Sequence, residues 1–95
     1  MNREQYLLTC LAEECAEVAH RASKAVRFGM NEVKQGTDTT NKELLSGEIG
    51  DLIGVLALLE KECGGGVLPA EDPCPRKAER VAKYYAYSQS LGLAV

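Results

Sequence analysis

"GEIGDLIGVLALLE", residues 47 to 60, is apolar at most positions yet carries Glu48 and Asp51 in its first half. A carboxylate withdrawn from water is costly unless a cation or hydrogen bonds compensate it. The run reads as the body of a helix. Just upstream, "TNKE", Thr40 to Glu43, matches the capping box, in which Thr and Glu satisfy each other's orphan backbone donors. Downstream, the helix is expected to stop near Cys63, at "GGG", residues 64 to 66.

Two further helices flank this one. The first is expected from Arg3 to Phe28, with Asn2 as N-cap and Gly29 as the C-terminal stop. "GMNEVKQGTDTT" (29 to 40), with two glycines and several turn formers, connects it to the second. In that connector only "VKQGT" hints at anything but helix. After the triple glycine comes "VLPAEDPCP", with three prolines in seven residues, and then a third helix from Pro75 to Leu91, closed by Gly92. The fold class is all-α: a bundle of about three main helices per chain, completed by oligomerisation.

Bulk properties bound the function. Ninety-five residues make one small domain. With 45% hydrophobic and 26% charged residues the chain is globular, and with no Trp and one Phe its core must come from Leu, Val, Ile and Ala. A net charge of −3 and a pI near 5.1 argue against a generic nucleic-acid binder. No apolar segment reaches the ~20 residues that span a bilayer, and "MNREQY" lacks a signal-peptide pattern. A cytoplasmic protein is expected. The four cysteines form no CxxC pair and His20 is the sole histidine, so no zinc-type ligand cluster can be written.

Helical geometry sets the acids in relation to the apolar residues. At roughly 100° per residue, Leu7, Leu11, Val18, Ala22 and Ala25 of the first helix share a narrow stripe, and Glu14 projects with them. Glu17 lies at the rim of that face and Glu13 beyond it. On the second helix Glu48 is flanked by Leu44, Leu52, Val55 and Leu59, with Asp51 to the side. The arrangement occurs twice: one acid on the buried stripe and a second, three residues later, at its edge. Packed through those stripes, the helices would gather four carboxylates, which cannot all ionise together without a cation. Oxygen-only ligation suits Mg²⁺ or Mn²⁺. Taken singly, such acids are usually solvated or paired, and Glu17 could bridge Arg21 at i,i+4.

"EECAE" (13 to 17) followed by "EIGD" (48 to 51) resembles the EExxE…ExxD pattern of MazG-like nucleoside triphosphate pyrophosphohydrolases, of the all-α NTP pyrophosphatase superfamily. "SKAVRFG" (23 to 29) and "KYYAYSQSLG" (83 to 92) resemble short, often phage-encoded members, and the likeness covers most of the chain. The resemblance implies that Glu14, Glu17, Glu48 and Asp51 coordinate Mg²⁺. It implies hydrolysis of an NTP or dNTP to the monophosphate and pyrophosphate in a bacterial cytoplasm, or a host's if the protein is of phage origin. The gap between the motifs, residues 18 to 47, is long for the family, and a full-length MazG has two such domains where this chain has one.

Hydrolysis within a triphosphate needs an in-line water and cations on the phosphoryl oxygens, but no Ser, Cys or His nucleophile. Glu13 is a candidate for the base that activates the water. Lys24 and Arg27 on the first helix, and Lys77, Arg80, Lys83 and Tyr84 on the third, are candidates for holding phosphates, each with the alternative of a solvated, snorkelling basic face. Phe28 could stack on a base or belong to the core. The second helix is apolar over more arc than one partner covers. A patch near Ile49, Ile53 and Leu56 therefore predicts a homo-oligomer, a dimer or a tetramer. The competing functional reading is a non-catalytic helical oligomerisation protein with a structural or relict acidic cluster.

Overall fold

A computed structural model describes the whole chain, Met1 to Val95, as three helices without a strand: α1 (Arg3–Phe28), α2 (Asn41–Glu62) and α3 (Cys74–Ser90). Each begins and ends for a local reason. The Asn2 side chain accepts from the Gln5 N–H at 2.8 Å, and the Gln5 side chain accepts from the Asn2 N–H at 2.9 Å. This reciprocal cap satisfies donors that the first turn leaves free. Gly29 stops α1 at φ +94°. Thr40 and Glu43 repeat the reciprocal cap at α2, at 3.1 and 3.3 Å. Past Cys63, the residues Gly64, Gly65 and Gly66 all have positive φ, a sequence of conformations that side-chain-bearing residues rarely adopt. The third helix begins at Cys74, one residue earlier than expected, with its N–H donating to Asp72 Oδ1 at 3.0 Å.

The connector between α1 and α2 forms a small hairpin. Val33 and Thr40 make an isolated antiparallel bridge, and the Lys34 N–H donates to Thr39 O at 2.9 Å. That is the "VKQGT" deviation, confined to a single bridge. Asn41 follows at once. Its Nδ2 donates to Gly29 O at 2.8 Å, and the residue is only 4% exposed. It ties the first turn of α2 to the end of α1.

At the opposite end Arg3 grips Glu62 through two parallel hydrogen bonds of 2.9 and 3.1 Å. The start of α1 therefore meets the end of α2, and the helices run antiparallel. Along α1 the buried and half-buried residues of the seam include Leu7, Leu11, Glu14, Val18, Arg21 and Ala25, flanked by Cys10 and Lys24; along α2 they include Asn41, Leu45, Glu48, Leu52, Val55 and Leu59. Spacings of four and three alternate on both helices, the 3.5-residue repeat of a left-handed helix pair. A straight helix drifts about 20° per heptad from that repeat. Ala22, placed on the stripe by straight-helix geometry, is accordingly exposed, and Arg21 takes the seam position.

The rest of the chain is open. No Cα of α3 comes within 8 Å of α1 or α2. Only Leu7, Leu59 and Asn41 are fully buried. The radius of gyration is 16.8 Å, against about 12 Å for a compact domain of this length. The accessible surface is 7263 Å², where a compact chain of 10.3 kDa exposes about 5,400 Å². Val81 and Tyr84 of α3, and Leu91 just past its end, are each more than half exposed.

The two fastenings of the hairpin differ in worth. An exposed ion pair is screened by water and salt, whereas deleting a buried amide strands the carbonyl it served, at about 1–3 kcal/mol. Asn41→Ala is expected to lower the free energy of urea unfolding by that amount, although Ala is the better helix former. Arg3→Gln should cost clearly less. Equal losses in the two variants would refute this ranking.

Candidate metal centre and the adjoining cavity

The antiparallel register brings the middle of α1 level with the first half of α2. Glu14, Glu48 and Asp51 each offer a carboxylate oxygen, and the three oxygens lie within 4.8 Å of one another. Glu14 and Glu48 are half-buried in the seam, and Asp51 is exposed at its edge. Glu14 Oε2 is buried and has no hydrogen-bond partner. Its carboxyl is pushed above the usual carboxylate range, first by burial, then by the negative charges of Asp51, Glu48, Glu17 and Glu13 in descending order.

These residues fit a hard divalent cation. Ligand oxygens around one Mg²⁺ at 2.0–2.1 Å in octahedral geometry stand about 3–4 Å apart. At up to 4.8 Å the present spread exceeds the roughly 3 Å between adjacent ligand positions by up to about 2 Å, a gap that side-chain rotations can close. Carboxylates alone, without thiolate or imidazole, favour Mg²⁺ and Mn²⁺ over softer metals. Glu17 is exposed on α1 and stands outside the trio, near enough to act on Glu14 by charge alone. Glu13 is exposed as well.

The basic candidates divide between two places. Lys24 is half-buried on α1 and lines an open cavity of about 430 Å³ between the last two turns of that helix and the connector. Arg27 sits over the Phe28 ring at 5.0 Å, and Lys24 approaches the same ring at 5.7 Å. Lys77, Arg80, Lys83 and Tyr84 are exposed on α3, away from the α1–α2 pair. Lys83 lies 5.8 Å from the Tyr84 ring. Within one chain they do not reach the acidic trio.

Two residues gain a role that sequence reasoning did not assign them. Arg21, which spacing would have allowed to bridge Glu17, makes no salt bridge, and its Nε is buried without a hydrogen-bond partner. Asn41, unremarkable beside its capping neighbour Thr40, is the buried tie between helices. For Arg21 a signal existed, since it continues the 3.5-residue spacing from Glu14 through Val18. For Asn41 there was none. No family model, no curated protein and no solved structure matches this chain.

Glu14 has a legible pH signature. A carboxyl whose folded pKa is raised stabilises the fold while protonated, and that contribution is lost as pH rises from the unfolded value of 4.5 through the folded one. Glu14→Gln mimics the protonated form. In chelator, its thermal midpoint should match wild type near pH 4 and exceed it increasingly toward pH 7. Glu60, held below the usual range by backbone N–H groups of Leu68, Gly66 and Val67, and Glu62, held low by Arg3, shift the other way. The variant-minus-wild-type difference isolates Glu14. A difference independent of pH would remove the claim that this carboxyl is strained.

Proposed function

We propose that this protein is a Mg²⁺-dependent nucleoside triphosphate pyrophosphohydrolase of the MazG-like type, cytoplasmic and active as a homo-oligomer. One observation carries the reading: the buried, unpartnered Glu14 carboxylate oxygen beside Glu48 and Asp51. Three carboxylates so close repel one another, and a divalent cation is the simplest partner that would reverse the sign of that interaction. The spacing "EECAE…EIGD" that resembles the family's motif supplies these same residues.

Glu14, Glu48 and Asp51 would hold Mg²⁺, with Mn²⁺ as substitute, and Glu17 would join once the side chains close. Bound there, the cation supplies neutralisation of charge on the phosphoryl oxygens. The chain's own part is to present the acids from two rigid helices and to keep one side of the site dry with Val18 and Leu52. Glu13, exposed on the same helix, is the group proposed to accept the proton of the attacking water. Water forms the new bond to phosphorus as the anhydride bond breaks, and pyrophosphate leaves.

A specific observation favours association. Ile53 is 59% exposed and Ile49 38%, while α3 finds no partner in its own chain. The surplus of roughly 1,900 Å² per chain over a compact chain would amount to about 3,800 Å² over two chains, the size of an obligate homodimer interface. A second copy supplying α3 would carry Lys77, Arg80, Lys83 and Tyr84 toward a neighbour's site. The same exposed surface also supports the second reading, a non-catalytic helical oligomerisation protein. Catalysis separates the two.

Pyrophosphate release measured over the eight common NTPs and dNTPs is expected with Mg²⁺ and not with chelator. Glu48→Gln should lower it at least about 100-fold, since a lost metal contact is worth several kcal/mol and each 1.4 kcal/mol is tenfold. Its circular dichroism should be that of wild type. Wild-type turnover in Glu48→Gln, or none in wild type with any nucleotide, would refute the enzyme. Light scattering should give a multiple of 10.3 kDa, and a fully active monomer would refute the oligomer.

A further inference from the structure

We propose that the cavity between the end of α1 and the connector seats an oligophosphate on Arg21 and Lys24, with Phe28 and Gln35 forming the wall for an attached base. The chain has a net charge of −3, yet this cavity gathers Arg21, Lys24 and Lys34 against a single acid, Glu32. None of these cations is consumed by an ion pair, because the one salt bridge in the structure joins Arg3 to Glu62. Arg21 is the informative residue. It occupies a seam position, its Nε is buried, and that N–H has no acceptor within the protein. The guanidinium is thus held in the seam without a protein partner while Arg21 lines the cavity, and an anionic oxygen meeting its cavity side is the acceptor that suits its planar fork.

The rest of the lining argues against a bare inorganic ion. Phe28 is the one apolar group in the cavity wall and is about half exposed. Gln35 brings an amide with both donor and acceptor. A volume of about 430 Å³ falls within the range of small-molecule sites. Arg21 follows Glu14 by seven residues, two turns or about 10 Å along α1, so one ligand can touch both the acidic trio and the cavity. Phosphates nearest the acids and a planar base at Phe28 is the order this arrangement accepts. The nucleoside part rests on the pyrophosphohydrolase reading; the anion part does not.

Titration calorimetry in chelator, with inorganic tripolyphosphate and each of the eight common nucleoside triphosphates as probes, tests the site without turnover. Wild type should bind tripolyphosphate, and at least one nucleotide should bind more tightly. Arg21→Gln and Lys24→Gln should each weaken tripolyphosphate by about tenfold, as loss of a charge-assisted contact does, with circular dichroism unchanged. Phe28→Leu should erase the nucleotide's advantage and leave tripolyphosphate as in wild type. Glu48→Gln should bind tripolyphosphate at least as well as wild type, because it removes a negative charge.

Absence of metal-free binding, or unchanged affinity in both Arg21→Gln and Lys24→Gln, would overturn the oligophosphate seat even if Mg²⁺-dependent hydrolysis stands. Equal affinity for tripolyphosphate and every nucleotide would overturn the base wall. Binding as described without any turnover would leave the seat in place and overturn the enzyme.

Discussion

The Glu14 carboxylate lies in the apolar seam between α1 and α2, and much of the molecule follows from keeping it there. A seam of Leu7, Leu11, Val18 and Ala25 against Leu59, Val55, Leu52 and Leu45 has a 3.5-residue repeat that brings side chains of both helices to successive common levels. Leucine at position 14 would complete an ordinary hydrophobic strip. Glutamate instead leaves one oxygen buried without a donor and next to two more carboxylates. Stability is sacrificed at the middle of the hairpin, and the ends must compensate.

They do so by different means. At one end Leu7 and Leu59 are the most buried residues of the protein, beside the Arg3–Glu62 pair. At the other, the hairpin-shaped connector delivers Asn41 to the Gly29 carbonyl. Held at both ends, the helices cannot slide to separate the acids. Glu60 adds a third restraint, its carboxylate accepting from the N–H groups of Gly66, Val67 and Leu68 so that the chain leaving α2 starts in a defined direction. The strained centre thus sits in a frame that does not depend on it, the arrangement expected of a preorganised site.

The third helix belongs to a different level of organisation. Its Tyr84, Tyr85, Tyr87 and Val81 are more than half exposed, and none of its Cα atoms lies within 8 Å of either other helix. An apolar surface of this extent normally marks an interface. Its cations stand apart from the acidic trio within the chain.

Sequence alone determined the local structure, because the signals are local. Asn2 with Gln5, Thr40 with Glu43, Gly29 and the triple glycine mark helix ends through hydrogen bonds and backbone torsions that reach only a few residues. Glu14, Glu48 and Asp51 were legible for the same reason: an acid within an apolar period is conspicuous before any partner is known. Tertiary structure decided what depends on the pairing. Winding of the two helices at 3.5 residues per turn moved Arg21 into the seam and Ala22 out of it, a drift invisible to a helix taken by itself. The connector's path buried Asn41 and set Lys34 across from Lys24 and Phe28 in the wall of the open cavity. Glu17, at the rim of its face by spacing, stands exposed outside the trio, and the third helix, with its cations, stands apart from the pair.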